Sequence, residues 1–124
     1  MNNNRRSMMT VYSDPLCPFS HQMRIVIQEK EIEANIQDLV SGEWPEEVAA
    51  ANPYGTGPTL FDRDLVLFDA RVIIDYFDER FPHPPLLPID PVARAKARLM
   101  LHRIDKDWYF SIAASPRCYG AFRH

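Results

Sequence analysis

Cysteine is nearly missing from this 124-residue chain, and its absence closes several routes at once. The two present, Cys17 and Cys118, stand about a hundred residues apart. Neither Cys-x-x-Cys nor His-rich spacing joins them, which argues against a zinc site or a disulfide framework and fits a reducing cytoplasm. Long apolar runs are also lacking. None approaches the roughly 18 residues of a membrane span, and the polar stretch from Met1 to Ser7 has no apolar centre such as a secretory leader carries. The expectation is a soluble, cytoplasmic protein with no membrane partner. Nor is there an excess of positive charge. The formal net charge is -3, and outside a short basic stretch at Arg94, Lys96, Arg98, Arg103 and Lys106 the bases alternate with acids. Direct binding to nucleic acid is therefore not expected, and the basic stretch reads as a solvated helix face or a contact to an acidic protein surface. Internal repeats and low-complexity segments are absent. At 46% hydrophobic and 25% charged, the chain can fill one core and has no room for a second full domain.

Proline is what the chain has in quantity, 11 residues in all. Pro82, Pro84, Pro85 and Pro88 fall within one segment, Asp78 to Pro88. Each fixes φ and removes a backbone donor, and the apolar residues between them follow no helical period. The segment reads as a stiff, extended surface connector. A loop ordered in advance loses little entropy on docking, so Pro82, His83 and Pro84 form a candidate partner-binding surface. The alternative is a semi-rigid spacer between two structural units.

Along the chain, Met8 to Tyr12 is a short β-branched and aromatic run that ends in the turn residues Ser13, Asp14 and Pro15. Pro18 suits the first position of a helix reaching about Lys30, with Phe19, Met23, Val26 and Ile27 on one face and Gln22, Arg24 and Glu29 on the other. Ile32 to Val40 can be a second strand, followed by a short helix that ends near Ala51 before Asn52-Pro53. Thr59 to Phe61 and Leu65 to Phe68 flank Asp62-Arg63-Asp64 as an antiparallel hairpin. Asp69 can cap a helix whose inward residues are Val72, Ile73, Tyr76, Phe77 and Phe81. The resulting β-α-β-α-β-β-α order is a small mixed sheet with helices on its faces, an α/β, thioredoxin-like layout with Cys17 at a helix N-terminus. Beyond Pro88 a long helix from Val92 to about Phe110 carries Ala97, Leu101, Ile104 and Trp108 on one stripe. It starts an all-α unit that the remaining residues cannot complete. His102 sits in this helix, and no metal-ligand spacing joins it to His83 or His124.

These features carry a resemblance. Asn52-Pro53, Pro58-Thr59-Leu60, the hairpin, Asp69-Ala70-Arg71-Val72-Ile73 and the Pro-His-Pro segment resemble the N-terminal half of glutathione-transferase-fold proteins. Ser20-His21-Gln22, Pro91-Val92-Ala93-Arg94 and His102-Arg103-Ile104-Asp105-Lys106-Asp107-Trp108-Tyr109 narrow the resemblance to the stringent starvation protein A family, over about Met9 to Tyr109. It implies a bacterial transcription regulator of stress or stationary phase that keeps the glutathione-transferase fold without its usual activity. Its implied partner is RNA polymerase holoenzyme with its sigma factor. Pro82, His83 and Pro84 lie in the implied contact surface, no cofactor is required, and the full-length family is a homodimer. The expected organisation is a disordered stretch over residues 1–8, a thioredoxin-like domain over 9–87, and a helical domain that begins at 88 and is cut short; the tail from about 110, interrupted by Pro116 and Gly120, fits neither the resemblance nor a helix. A truncated or frame-shifted product is expected, with an exposed stripe that promotes self-association.

A competing enzymatic reading rests on Cys17-Pro18-Phe19-Ser20, which looks like the active-site turn of glutaredoxins and cysteine-type glutathione transferases. A thiol at a helix N-terminus feels the dipole and free amides, which lowers its pKa and populates the nucleophilic thiolate. Ser20 stands where a resolving cysteine would be, leaving one-thiol chemistry with glutathione. The plainer reading is a buried cysteine that does no chemistry. His21, one turn on, is more simply a polar helix position than a partner of the thiol. Gly57, Pro58, Asp69 and Ala70 complete the glutathione-site candidates. Ala70 replaces the serine that many relatives carry, a loss of about 1.5 to 3 kcal/mol for a charge-assisted bond to the ligand carboxylate. Gly57 replaces a branched aliphatic residue and leaves the backbone less pre-organised. By the family's geometry Pro58 is expected in the cis form.

Overall fold

The computed structural model describes residues 9–39, 43–53 and 57–109. Four strands form one mixed sheet: β1 (Met9–Ser13), β2 (Ala34–Asp38), β3 (Thr59–Asp62) and β4 (Leu65–Phe68), in the order β2-β1-β3-β4. β1 runs parallel to β2, with Val11 opposite Ile36, and antiparallel to β3, with Val11 opposite Leu60. The expected hairpin closes the edge, with Leu60 opposite Leu67. α1 (Pro18–Glu29) connects the parallel pair, α2 (Glu46–Ala51) precedes the hairpin, and α3 (Ala70–Arg80) and α4 (Pro91–Arg103) follow it. The architecture is the thioredoxin-like one the sequence predicts.

The core follows from two helical stripes laid on one face of the sheet. Met9 and Val11 alternate inward from β1, and Leu60 joins them from β3. α1 contributes Met23 and Ile27, and α3 contributes Ile73, Ile74 and Phe77, all in the same cluster. Each large apolar side chain buried in this way contributes about 1.5 to 3 kcal/mol. Val72 is a correction: it is 47% exposed, while Ala70, Ile73, Ile74 and Phe77 are buried. The i, i+3, i+4, i+7 repeat passes through 70, 73, 74 and 77, and Val72 lies on the far side of that stripe. On α1 the buried line is Ser20, Met23 and Ile27, with Val26 packed against its border. Lys30, at the C-cap of α1, continues the line and is itself buried.

Asp69 caps α3 as expected, its carboxylate accepting from the Val72 amide at 3.3 Å. Asp90 does the same for α4 at the Ala93 amide, 3.0 Å, with Pro91 in the first turn. The predicted continuous helix from Val92 is α-helical only to Arg103, and residues Ile104–Tyr109 widen into a π-helix. Ala97, Leu101 and Ile104 are half-buried, and no residue of α4 is fully buried. Arg71 on α3 binds Asp105 at 2.8 Å and ties this segment to the sheet domain. Val92, Leu99 and Met100 face outward at 63%, 60% and 58% exposure. Residues 1–8, the tail from 110 and the Trp108 side chain, on which expectations were placed, lie outside the described residues. Among the described residues no helix is long and apolar enough to cross a membrane.

Candidate functional site

The two ends of α1 hold the two candidate sites. At its N-terminus Cys17 is the N-cap, in extended conformation, its amide donating to the Asp14 carbonyl at 3.1 Å and its carbonyl accepting from His21 at 3.0 Å. This is the placement the sequence implies for a nucleophile. Its side chain, however, is 1% exposed and its sulfur is in a disulfide, contrary to the expectation drawn from cysteine spacing. Cys118 lies outside the described residues. An oxidised sulfur has no proton to lose, so the helix N-terminus has no thiolate to stabilise until the bond is reduced. His21 is exposed, as a polar helix position would be.

The other glutathione-site candidates are partly assembled. Pro58 is fully buried and its carbonyl accepts from the Asp69 amide at 3.3 Å. Asp69 itself is exposed and holds φ at 89°, a conformation that non-glycine residues avoid, with its carboxylate turned back to cap α3. Ala70 is 3% exposed and offers no hydroxyl. The expected cis bond at Pro58 is not found. Gly57 turns the chain with φ 76°, and the cis peptide among the described residues joins His83 to Pro84. The glycine is required at this φ, which a branched side chain could not adopt without strain. The Asp69 carboxylate is thus engaged with the first turn of α3 and the Pro58 carbonyl with the Asp69 amide.

At the other end of α1 the polar groups are fully engaged. The Lys30 side chain is 0% exposed, and its ammonium lies 2.9 Å from Asp78 Oδ1 on α3. The same nitrogen donates to the Phe81 carbonyl at 2.5 Å and the Pro84 carbonyl at 2.6 Å. Its three protons thus have three acceptors. Asp78 Oδ1 also accepts from the Leu86 amide at 3.0 Å. The segment after α3 is therefore bent around a buried cation, which corrects the expectation of an extended connector. Carbonyls flanking the Pro82-His83 tip converge on one donor because the prolines supply no N–H of their own. Phe81 and Leu86 pack against the core, and residues 82–85 between them are exposed. Arg80 lies over the Phe81 ring at 5.4 Å and reaches Asp62 at 3.6 Å, steadying the root of the loop.

Burial pushes the Asp78 carboxyl up, but the bonds from Lys30 and the Leu86 amide, with the charges of Lys30 and Arg94, outweigh it and hold the group below its ordinary value of 3.8. The ionised pair is the stable form. Asp78 also lines a groove of about 270 Å³ together with Val26, Ile74, Leu86, Leu87 and Leu101. Lys30 and Asp78 were not read as functional from the sequence. The available signal was a lysine three residues past Ile27 on an apolar line, and an aspartate beside Phe77 on the facing one.

Comparison with known proteins agrees with this fold. Residues 11–85 match the family model for the glutathione S-transferase N-terminal domain, and the chain belongs to that family. Within it, the chain is 53% identical over 108 residues to a stringent starvation protein A homolog of Coxiella burnetii, covering 87% of this chain and 52% of that protein. It is 49% identical over 114 residues to the homolog of Pasteurella multocida, covering 92% and 54%. The chain spans about half the length of the curated relatives it matches. Among solved structures, the Tau class glutathione S-transferase of mango, Mangifera indica, superposes with a TM-score of 0.76 at 26% identity, over 89% of this chain and 52% of that one.

Proposed function

We propose that this chain is a protein-binding module of the stringent starvation protein A type, which contacts RNA polymerase holoenzyme and its sigma factor through Pro82, His83 and Pro84 and needs no catalytic step or cofactor. The observation that carries the reading is a loop whose root is locked and whose tip is bare. Lys30 holds Phe81 and Pro84 by their carbonyls, while residues 82–85 are exposed. A surface fixed before contact loses less conformational entropy on binding. The relatives' printed name supports the family side of the reading. Cytoplasmic residence and dimerisation belong to the same proposal.

The test is capture of RNA polymerase holoenzyme by the tagged chain, set against its His83→Ala and Pro84→Ala versions. Capture should weaken in both. Equal capture by all three removes the loop from the contact. The enzymatic alternative, a glutathione transferase or glutaredoxin-like enzyme using Cys17, draws support from the N-cap placement of that residue and from the Pro58–Asp69 backbone pairing. It requires reduction of Cys17 and access to a side chain that is 1% exposed. Glutathione-dependent turnover by the reduced chain, abolished by Cys17→Ser, would establish it.

A further inference from the structure

We infer that Lys30 is the positioning residue of the Pro82–Pro85 tip, an internal ammonium ion that supplies the hydrogen-bond donors the proline loop cannot make for itself. The inference rests on the loop being the contact surface. Of Pro82, His83, Pro84 and Pro85 only His83 carries a backbone N–H, so the tip has almost no means of cross-bracing its own carbonyls. Proline fixes its own φ and holds the residue before it to extended ψ, but nothing local to the tip ties the Phe81 and Pro84 carbonyls together. The missing constraint comes from 51 and 54 positions away in sequence, where one ammonium spans the Phe81 and Pro84 carbonyls and so sets the distance across the tip. Asp78 orients that ammonium from α3 and holds the Leu86 amide with the same oxygen. The side chain of Lys30 is 0% exposed, so it cannot itself touch a partner. Any effect of its removal on capture must pass through the loop or through global stability.

Those two routes separate experimentally. Lys30→Met alone strands Asp78 without its cation and lowers stability in any case. The decisive variant is the double substitution Lys30→Met with Asp78→Asn, which removes both charges, keeps the volume and retains an oxygen for the Leu86 amide. Its urea midpoint should recover most of the loss. The ¹⁵N order parameter of His83, the one amide probe in the tip, should nevertheless fall from about 0.85 to below about 0.6. Polymerase capture should weaken about tenfold, since pre-organisation is lost while every exposed group remains. In the unaltered chain the Lys30 ammonium protons should exchange with solvent far more slowly than those of Lys96 or Lys106. Lys30 protons exchanging at the surface-lysine rate, or an unchanged His83 order parameter in the double variant, would overturn the inference. If the unaltered chain captures no polymerase, the functional reading fails, and the order parameter alone decides the role of Lys30.

Discussion

The two ends of α1 bury polar groups under the same sheet and treat them in opposite ways. At the N-terminal end the hydroxyls of Ser13 and Ser20 are buried with no hydrogen-bond partner, and Cys17 is tied into a disulfide. At the C-terminal end each proton of the Lys30 ammonium has an acceptor, and the carboxylate opposite serves two donors. A buried donor left unmatched costs about 1 to 3 kcal/mol, and a buried charge costs more. A network that closes so fully indicates where the chain invests its geometry. The ordered polar cluster lies under the loop at the C-terminal end of this helix, away from the end that Cys17 caps.

The sharpest way to break that contrast is Lys30→Met. It leaves Asp78 charged and largely buried, and the expected loss is about 3 to 5 kcal/mol, read from the shift of the urea midpoint. Acid probes the same pair more gently. Asp78 has a folded-state pKa below its ordinary 3.8, so its contribution is present above that pH and is lost as pH falls through the depressed folded value. Asp78→Asn should therefore flatten the decline of stability at acid pH, and an unchanged acid limb would remove the pair from the account. At the thiol end the effects shrink. Asp69→Ala removes the α3 cap and should cost about 1 kcal/mol, with capture of polymerase unaffected. Ser20→Ala deletes a hydroxyl that has no partner and should change stability by less than about 0.5 kcal/mol, or raise it. A large loss there would reveal a hidden partner and weaken the contrast between the ends.

What the sequence made legible is the part governed by local periodicity. The hairpin from Thr59 to Phe68 follows from two apolar runs around Asp62-Arg63-Asp64, and the N-cap of α3 follows from one aspartate before an amphipathic run. The exposed Pro-His-Pro tip was legible as well, since proline spacing alone marks it as non-helical. Its shape was not. The bend depends on a lysine 51 residues before Phe81, and no local pattern reports which carbonyls a side chain will reach. Val72 shows a smaller limit, since its outward position is a matter of one residue of helical phase. Gly57, a weakness before Pro58 on sequence grounds alone, makes the turn itself through its positive φ.

The most direct measurement is a side-by-side capture of RNA polymerase holoenzyme by three folded forms of the chain, unaltered, His83→Ala and Cys17→Ser. A loop-borne contact predicts that removing one exposed imidazole weakens capture while replacing the buried sulfur leaves it intact. Capture that survives His83→Ala and disappears with Cys17→Ser would contradict it and move the working surface to the thiol end of the fold.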